Sequence, residues 1–286
     1  MKNVIIIGSG PAGVSAALYL QRSGRIRTTV ISNGAGALGK AEMIGNYYGL
    51  AKPVTGRELY DNGINSAKSI GVEFVNGEVV SLSLDAEMRP VVITTDKEYI
   101  ADAVLLATGA SRNTLKITGV AEHEGKGVSY CAVCDAFFYR NKDVCVIGSG
   151  EYALHEAMIL SQSSKSVTLL TNGSPLTTEI PDSIRVNTKK LMSVNGEAFV
   201  ESISFEDGEI LSVNGVFIAL GVAGSSDLAK KVGAETENGI IKVNKNMETS
   251  IPRLYAAGDC TGGTMQIFKA VYEGSTAALA ILKALH

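Results

Sequence analysis

The sequence predicts an α/β protein built from two three-layer βαβ domains, the second inserted into the first. Three observations carry this. Residues 3–7 form an apolar run that breaks into Gly8-Ser9-Gly10-Pro11-Ala12-Gly13, followed by a helical stretch at 14–21. Residues 143–147 repeat the pattern, running into Gly148-Ser149-Gly150-Glu151-Tyr152-Ala153 and a helical stretch at 154–161. A second β-rich run follows each, at 28–32 and at 166–170. Strand, glycine turn, helix and second strand make the unit of a Rossmann-like, dinucleotide-binding domain.

Between the two units the texture changes. Residues 72–84 and 91–95 alternate as strands around a turn at 85–90, and 103–107 is a wholly apolar strand ending at Thr108-Gly109. Similar strand endings recur at 215–221 and 254–259, and residues 270–285 read as a terminal helix. The return of the first texture after the second unit puts the crossings near Asn113 and Gly221. The expected domains are 1–113 with 221–286, and an inserted 114–220.

A length of 286 residues suits two such domains, each able to bury a core. Apolar residues at 45% and charged residues at 19% exclude a disordered or fibrous chain. Lys and Arg total 26 against 29 Asp and Glu, a net charge of −3 that argues against nucleic-acid binding, which rests on cationic neutralisation of phosphates. No apolar run approaches the ~20 residues of a membrane helix. The opening run meets Gly8 too early for a signal-peptide core, so a cytoplasmic protein is expected. Four cysteines do not make a disulfide scaffold. In a reducing compartment a close pair points to catalysis or metal binding.

Each glycine of the first turn has a physical use. Gly8 permits the turn, Gly10 lets the backbone approach a pyrophosphate, and Gly13 lets helix and strand close. The helix N-terminus then offers free N–H groups and partial positive charge to the phosphates. The acid expected ~20 positions on, to hold the ribose, is absent: the strand ends at Ser32-Asn33, and Asn33 is left to bond a hydroxyl.

The sharpest feature is Cys131-Ala132-Val133-Cys134-Asp135. Zinc needs four ligands; there is no second such pair, and His123, His155 and His286 fall at no ligand spacing. A redox dithiol has one attacking and one resolving sulfur within reach, and this spacing suits it. Asp135 reads either as a proton carrier for the thiols or as a helix cap. Cys145 and Cys260 read as packing residues.

The glycine turn at 8–13, Ala107-Thr108-Gly109, Cys131 to Asp135 with Phe137-Phe138-Tyr139-Arg140, the turn at 148–153 and Ala257-Gly258-Asp259 together resemble the low-molecular-weight thioredoxin reductases, in order, from about residue 3 to 282. The resemblance implies FAD in the outer domain, a redox disulfide in the inserted one, and a homodimer. It implies that Cys134 lies next to the flavin, that Cys131 attacks thioredoxin, and that Asp135 is the acid–base. It implies that Asn46, Val79, Ala107, Thr108, Gly109, Gly258, Asp259 and Gln266 line the flavin site. Met265 stands where the family usually has arginine. Phe137 and Phe138 read either as an apolar patch for thioredoxin or as core of the inserted domain.

The chain departs from the family where NADPH would bind. Its 2′-phosphate calls for arginines after the second strand, whereas this chain reads Leu170-Thr171-Asn172-Gly173 and has no arginine between Arg140 and Arg185. Residues 143–184 carry five acids against Lys165 alone. Gly148 and Gly150 therefore either still cradle a pyrophosphate or remain for the turn itself. One branch of the family fits, the ferredoxin-linked flavin thioredoxin reductases, which use no pyridine nucleotide. Ferredoxin near −400 mV against thioredoxin near −270 mV leaves ~130 mV, about 6 kcal/mol for two electrons. An acidic ferredoxin wants a basic face, for which Arg22, Arg25 and Arg27 are the candidates. The alternatives are a reductase of altered NAD(P)H preference and a non-catalytic redox-sensing flavoprotein.

Overall fold

The computed structural model describes residues 1–110 and 115–286. The chain divides into two compact units, Met1–Ser111 with Gly224–His286, and Arg112–Ala223. The crossing expected at Asn113 lies outside the described residues, and the return falls at Gly224, slightly beyond Gly221. The α-helices among the described residues are α1 (Pro11–Arg22), α2 (Gly56–Ser69), α3 (Ala132–Asp135), α4 (Glu151–Ser161), α5 (Ser225–Lys231) and α6 (Ile267–Ala284).

The first unit is built on a five-stranded parallel sheet in the order Leu254–Ala256, Ala103–Leu106, Lys2–Ile7, Ile26–Ser32, Glu73–Asn76. Parallel strands are buried on both faces and so read as unbroken apolar runs; Val4, Ile5, Ile6 and Leu105 are wholly buried. Helix α1 starts at Pro11, earlier than the apolar pattern suggests, because proline fits the first helical turn. Helix α6 packs against α1 at Gly274, where an added Cβ would lie 2.0 Å from the Ala12 carbonyl oxygen. Helix α2 is capped by Thr55, whose hydroxyl accepts the Glu58 amide at 3.1 Å.

The stretch 72–84, expected as one strand, is two. Glu73–Asn76 completes the parallel sheet, and Val79–Leu84 opens a separate antiparallel sheet with Pro90–Thr94 and Glu98–Ile100. Gly77 donates its amide back to Ser32, which ends the first strand and turns the chain. Alternation identifies strands but not the sheet each one joins.

The second unit repeats the plan. Its parallel sheet runs Val128–Ser129, Gly215–Ile218, Asp143–Ile147, Ser166–Leu170, Arg185–Asn187, beside an antiparallel sheet of Leu191–Asn195, Ser202–Phe205 and Ile210–Ser212. One difference matters. In the first unit α2 lies between the second and third strands of the βαβ series; in the second, residues 171–184 make the same connection without a helix. No described helix is long and apolar enough to cross a membrane.

Candidate active site

Cys131 and Cys134 form a disulfide. Cys131 is the extended N-cap of α3, and its sulfur accepts the Cys134 amide at 3.2 Å. Cys131 is only 4% exposed, whereas Cys134 is exposed. Ser129, at the end of the short edge strand, ties the group together. Its hydroxyl accepts the Cys131 amide at 3.1 Å and donates to Asp135 Oδ2 at 2.7 Å. Asp135 is therefore held by a hydrogen bond beside the sulfurs, and the Asp135 cap of the sequence reading gives way to Cys131 as the capping residue. On the other side of α3, Glu156, 1% exposed on α4, accepts the Ala132 amide at 2.7 Å. Burial, and then the Asp135 charge, push the Tyr139 phenol up from its ordinary value.

The aromatics that follow separate cleanly. Tyr139 packs edge-on to Phe217 and over Gly215, where an added Cβ would meet its ring at 2.3 Å. Phe137 and Phe138 are 72% and 66% exposed, with Val133 exposed nearby in sequence. Of their two readings, core burial does not hold.

In the first unit, the glycine turn, Ser32-Asn33, Thr108-Gly109 and Gly258-Asp259 all follow the carboxyl ends of parallel strands, where ligands of such sheets bind. Gly8 has φ +108°, and a Cβ there would lie 2.3 Å from the Ala107 carbonyl oxygen. A Cβ on Gly13 would lie 2.0 Å from the Gly8 oxygen. At Gly10 a Cβ would meet nothing within 4 Å, and α1 has no side-chain cap and no acid in its first turn. An open, uncapped helix N-terminus flanked by tight glycines fits a dinucleotide pyrophosphate. Ser9 is hydrogen-bonded to Tyr60 at 2.9 Å. Thr108 and Ser225 exchange hydrogen bonds, hydroxyl to hydroxyl at 2.6 Å, fixing the Ala107-Thr108-Gly109 turn against α5. Val79 is buried beside a register shift in the antiparallel sheet. Asn46 is exposed in a loop outside the strands, and Gln266 is the exposed N-cap of α6.

The corresponding turn of the second unit is covered. The Thr177 amide donates to the Ser149 carbonyl at 2.9 Å, and the Thr178 hydroxyl donates to the Glu151 carboxylate. Glu151 is the first residue of α4, so its charge already compensates that helix's positive end. A Cβ on Gly148 would lie 2.2 Å from the Ala219 oxygen and 2.6 Å from Ala153 Cβ, which accounts for that glycine by packing alone.

Cys145 and Cys260 are buried free thiols. Burial pushes both up, Cys260 to about 11, and Cys260 donates to the Leu106 and Ala257 carbonyls. Arg22, Arg25 and Arg27 are exposed, with Arg27 paired to Glu73 at 3.0 Å and Arg25 bonded to His286. Three residues escaped the sequence reading: Ser129, Glu156 and Lys269. The Lys269 ammonium donates to the Gly258 and Gly262 carbonyls and pairs with Glu273 at 3.0 Å, while Glu273 accepts the Gly258 amide at 2.8 Å. Glu156 did leave a signal, an acid among Tyr152, Ala153, Ala157 and Leu160 on the buried face of α4.

Residues 2–274 match the pyridine nucleotide-disulphide oxidoreductase family. Thioredoxin reductases of Aquifex aeolicus (strain VF5) and Bacillus subtilis (strain 168) are 36% and 33% identical, covering 99% and 98% of this chain and 93% of each relative. Among solved structures, an atypical thioredoxin reductase of Desulfovibrio vulgaris Hildenborough is 36% identical with a TM-score of 0.93, covering 99% of this chain and 97% of that one. A ferredoxin-flavin thioredoxin reductase of Clostridium acetobutylicum is 31% identical with a TM-score of 0.73, covering 99% and 98%.

Proposed function

The chain belongs to the pyridine nucleotide-disulphide oxidoreductase family, and we propose that, as a thioredoxin reductase within it, it draws electrons from reduced ferredoxin rather than from NADPH or NADH. The observation that carries this is the covered turn of the second unit, where Thr177 and Thr178 bond Ser149 and Glu151. These bonds lay Thr177 against the turn that a nucleotide pyrophosphate would approach, 3.0 Å from the position of a Gly150 Cβ, and hold the Glu151 carboxylate at the helix end that would receive it. The nucleotide's 2′-phosphate needs a cation that residues 143–184 supply only as Lys165, which is paired with Asp143 at 2.8 Å. The likeness to the Clostridium acetobutylicum ferredoxin-flavin enzyme supports the same donor.

The cofactor is FAD, and the first unit is where its residues stand. Gly8, Ser9, Gly10, Pro11, Ala12 and Gly13 would receive the pyrophosphate, Ser32 and Asn33 the ribose. Asn46, Val79, the Ala107-Thr108-Gly109 turn, Gly258, Asp259 and Gln266 would line the rest. FAD, when bound, supplies the conversion of single electrons into the pair that a disulfide needs.

The chain's own residues do the remainder. Reduction of the Cys131–Cys134 bond takes two electrons and two protons and leaves two thiols. Cys131 then attacks the thioredoxin disulfide, and Cys134 attacks the mixed disulfide, which releases reduced thioredoxin and restores the internal bond. Asp135, held by Ser129, takes the thiol proton and returns one to the leaving sulfur. Because Cys131 is buried in the oxidised chain, its attack requires that it be uncovered. Exposed Phe137 and Phe138 form the apolar surface for thioredoxin, and Arg22, Arg25 and Arg27 the basic one for ferredoxin. The exposed Phe268, Tyr272 and Leu279 of α6 suit a homodimer, and the cytoplasm is the compartment that would supply both partners.

The test is an anaerobic titration of the flavin-loaded protein, following flavin absorbance. Reduced ferredoxin is expected to bleach the flavin and drive thioredoxin reduction, while NADPH and NADH at 1 mM leave it oxidised. Bleaching by either nucleotide at micromolar concentration overturns the donor assignment. Flavin reduction without thioredoxin turnover would instead favour a redox sensor.

A further inference from the structure

Glu156 is a buried acid that the mechanism above does not use. It sits on α4, 1% exposed, and its Oε2 takes the amide of Ala132 at 2.7 Å. Ala132 is the first residue of α3 and follows Cys131 directly. The carboxylate is therefore bonded to the backbone directly after Cys131, within the one helical turn that links the two sulfurs.

That placement has an electrostatic consequence. Helix-terminal amides favour a thiolate beside them, and stabilised thiolates favour the reduced form of a dithiol couple, which makes it a stronger oxidant. A carboxylate seated on the Ala132 amide, one residue from Cys131, works against this. We infer that Glu156 is a positioning residue for the redox disulfide: its carboxylate fixes the Ala132 amide and, by setting a negative charge one residue from Cys131, keeps the Cys131/Cys134 couple reducing enough to drive thioredoxin. This role differs from that of Asp135, which is held by Ser129 and serves the proton.

The inference rests on the thioredoxin reductase reading but not on the identity of the electron donor, and its test uses neither donor nor thioredoxin. The full flavin-loaded chain is equilibrated anaerobically in glutathione redox buffers at pH 8, acid-quenched, and its dithiol fraction counted by alkylation and intact mass. Disulfide plus two glutathione thiols gives dithiol plus glutathione disulfide, so the midpoint reads the potential directly. Glu156→Gln keeps an oxygen for the Ala132 amide and removes the charge. It is expected to shift the equilibrium at least threefold toward the dithiol, about 14 mV less negative. Glu156→Met, neutral and of similar length, is expected to shift it the same way and serves if the amide variant fails to fold. Glu156→Asp, which keeps the charge, is expected to stay close to the parent. Neutral variants at the parent potential, or three variants shifted alike, would overturn the inference.

Discussion

The amide of Thr177 donates to the carbonyl of Ser149 at 2.9 Å, and its hydroxyl reaches the same oxygen at 3.3 Å. Ser149 is the middle residue of a glycine turn whose counterpart in the first unit, Ser9, stands beside the open Gly10. Two turns of one sequence pattern thus have opposite surroundings, and substitution at their glycines separates ligand binding from packing.

Gly10→Ala introduces a Cβ with no neighbour within 4 Å at an ordinary φ of −69°. The fold is expected to keep its stability within about 1 kcal/mol while flavin retention falls at least tenfold, read by fluorescence after gel filtration. Gly150→Ala, whose Cβ meets Thr177 Oγ1 at 3.0 Å, is expected to leave flavin content and turnover unchanged. Gly148→Ala, driven into Ala219, is expected to cost on the order of 3 kcal/mol in chemical denaturation.

Cys134→Ser leaves Cys131 without its resolving partner. Incubation with oxidised thioredoxin under mild reduction is expected to trap a covalent adduct through Cys131, seen by intact mass. Cys131→Ser should give none, and both variants should lose at least a thousandfold in turnover. An adduct formed only by Cys131→Ser would exchange the roles of the two sulfurs, which the exposure of Cys134 makes a pointed comparison.

Asp135→Asn keeps the Ser129 hydroxyl bonded but removes the carboxylate proposed to carry the proton. Thioredoxin reduction is expected to slow by about 10²-fold or more, with binding of thioredoxin unchanged. Ser129→Ala should slow it less, about tenfold, because Asp135 remains but is no longer fixed. Rapid-mixing kinetics of the reduced enzyme checks both.

The buried thiols set an alkaline limit. In the unfolded chain thiols ionise near 9, whereas burial holds Cys260 up to about 11 and pushes Cys145 further in the same direction. The folded form therefore keeps protons that the unfolded form has lost, so this contribution is whole below pH 9 and is lost as pH rises toward 11. Melting temperature is expected to fall over that window, and to fall less steeply in Cys145→Ala/Cys260→Ala. Below the window, iodoacetamide should label two cysteines in the reduced native chain and all four when it is unfolded.

The glycine turns and the Cys131–Cys134 pair were legible because their chemistry is local: a handful of consecutive residues dictates the backbone. The doubled βαβ plan followed from the same signals. What escaped depends on residues distant in sequence. Glu156 meets Ala132 from another helix, Thr177 meets Ser149 across a loop, and Lys269 meets Gly258 from α6. The split at Gly77 was hidden because strand alternation continues across it while the hydrogen-bonding partners change. The absence of arginine between Arg140 and Arg185, by contrast, was plain in the sequence, but only the fold reveals what lies over the Gly148–Gly150 turn.

The strand Val128–Ser129 is two residues long; Val216 and Phe217 pair it on one side, and a single bridge from Val128 to Glu124 flanks the other. Such a hem is peeled from its cloth at small cost, since few ladder bonds break beyond the one that the Val128 amide gives to the His123 carbonyl at 3.0 Å. The reactive segment is stitched directly to it. Concealment and release of the inner sulfur thus need no rearrangement of the sheet's centre, and the amides of 128–131 should trade hydrogen for deuterium well ahead of those at 143–147.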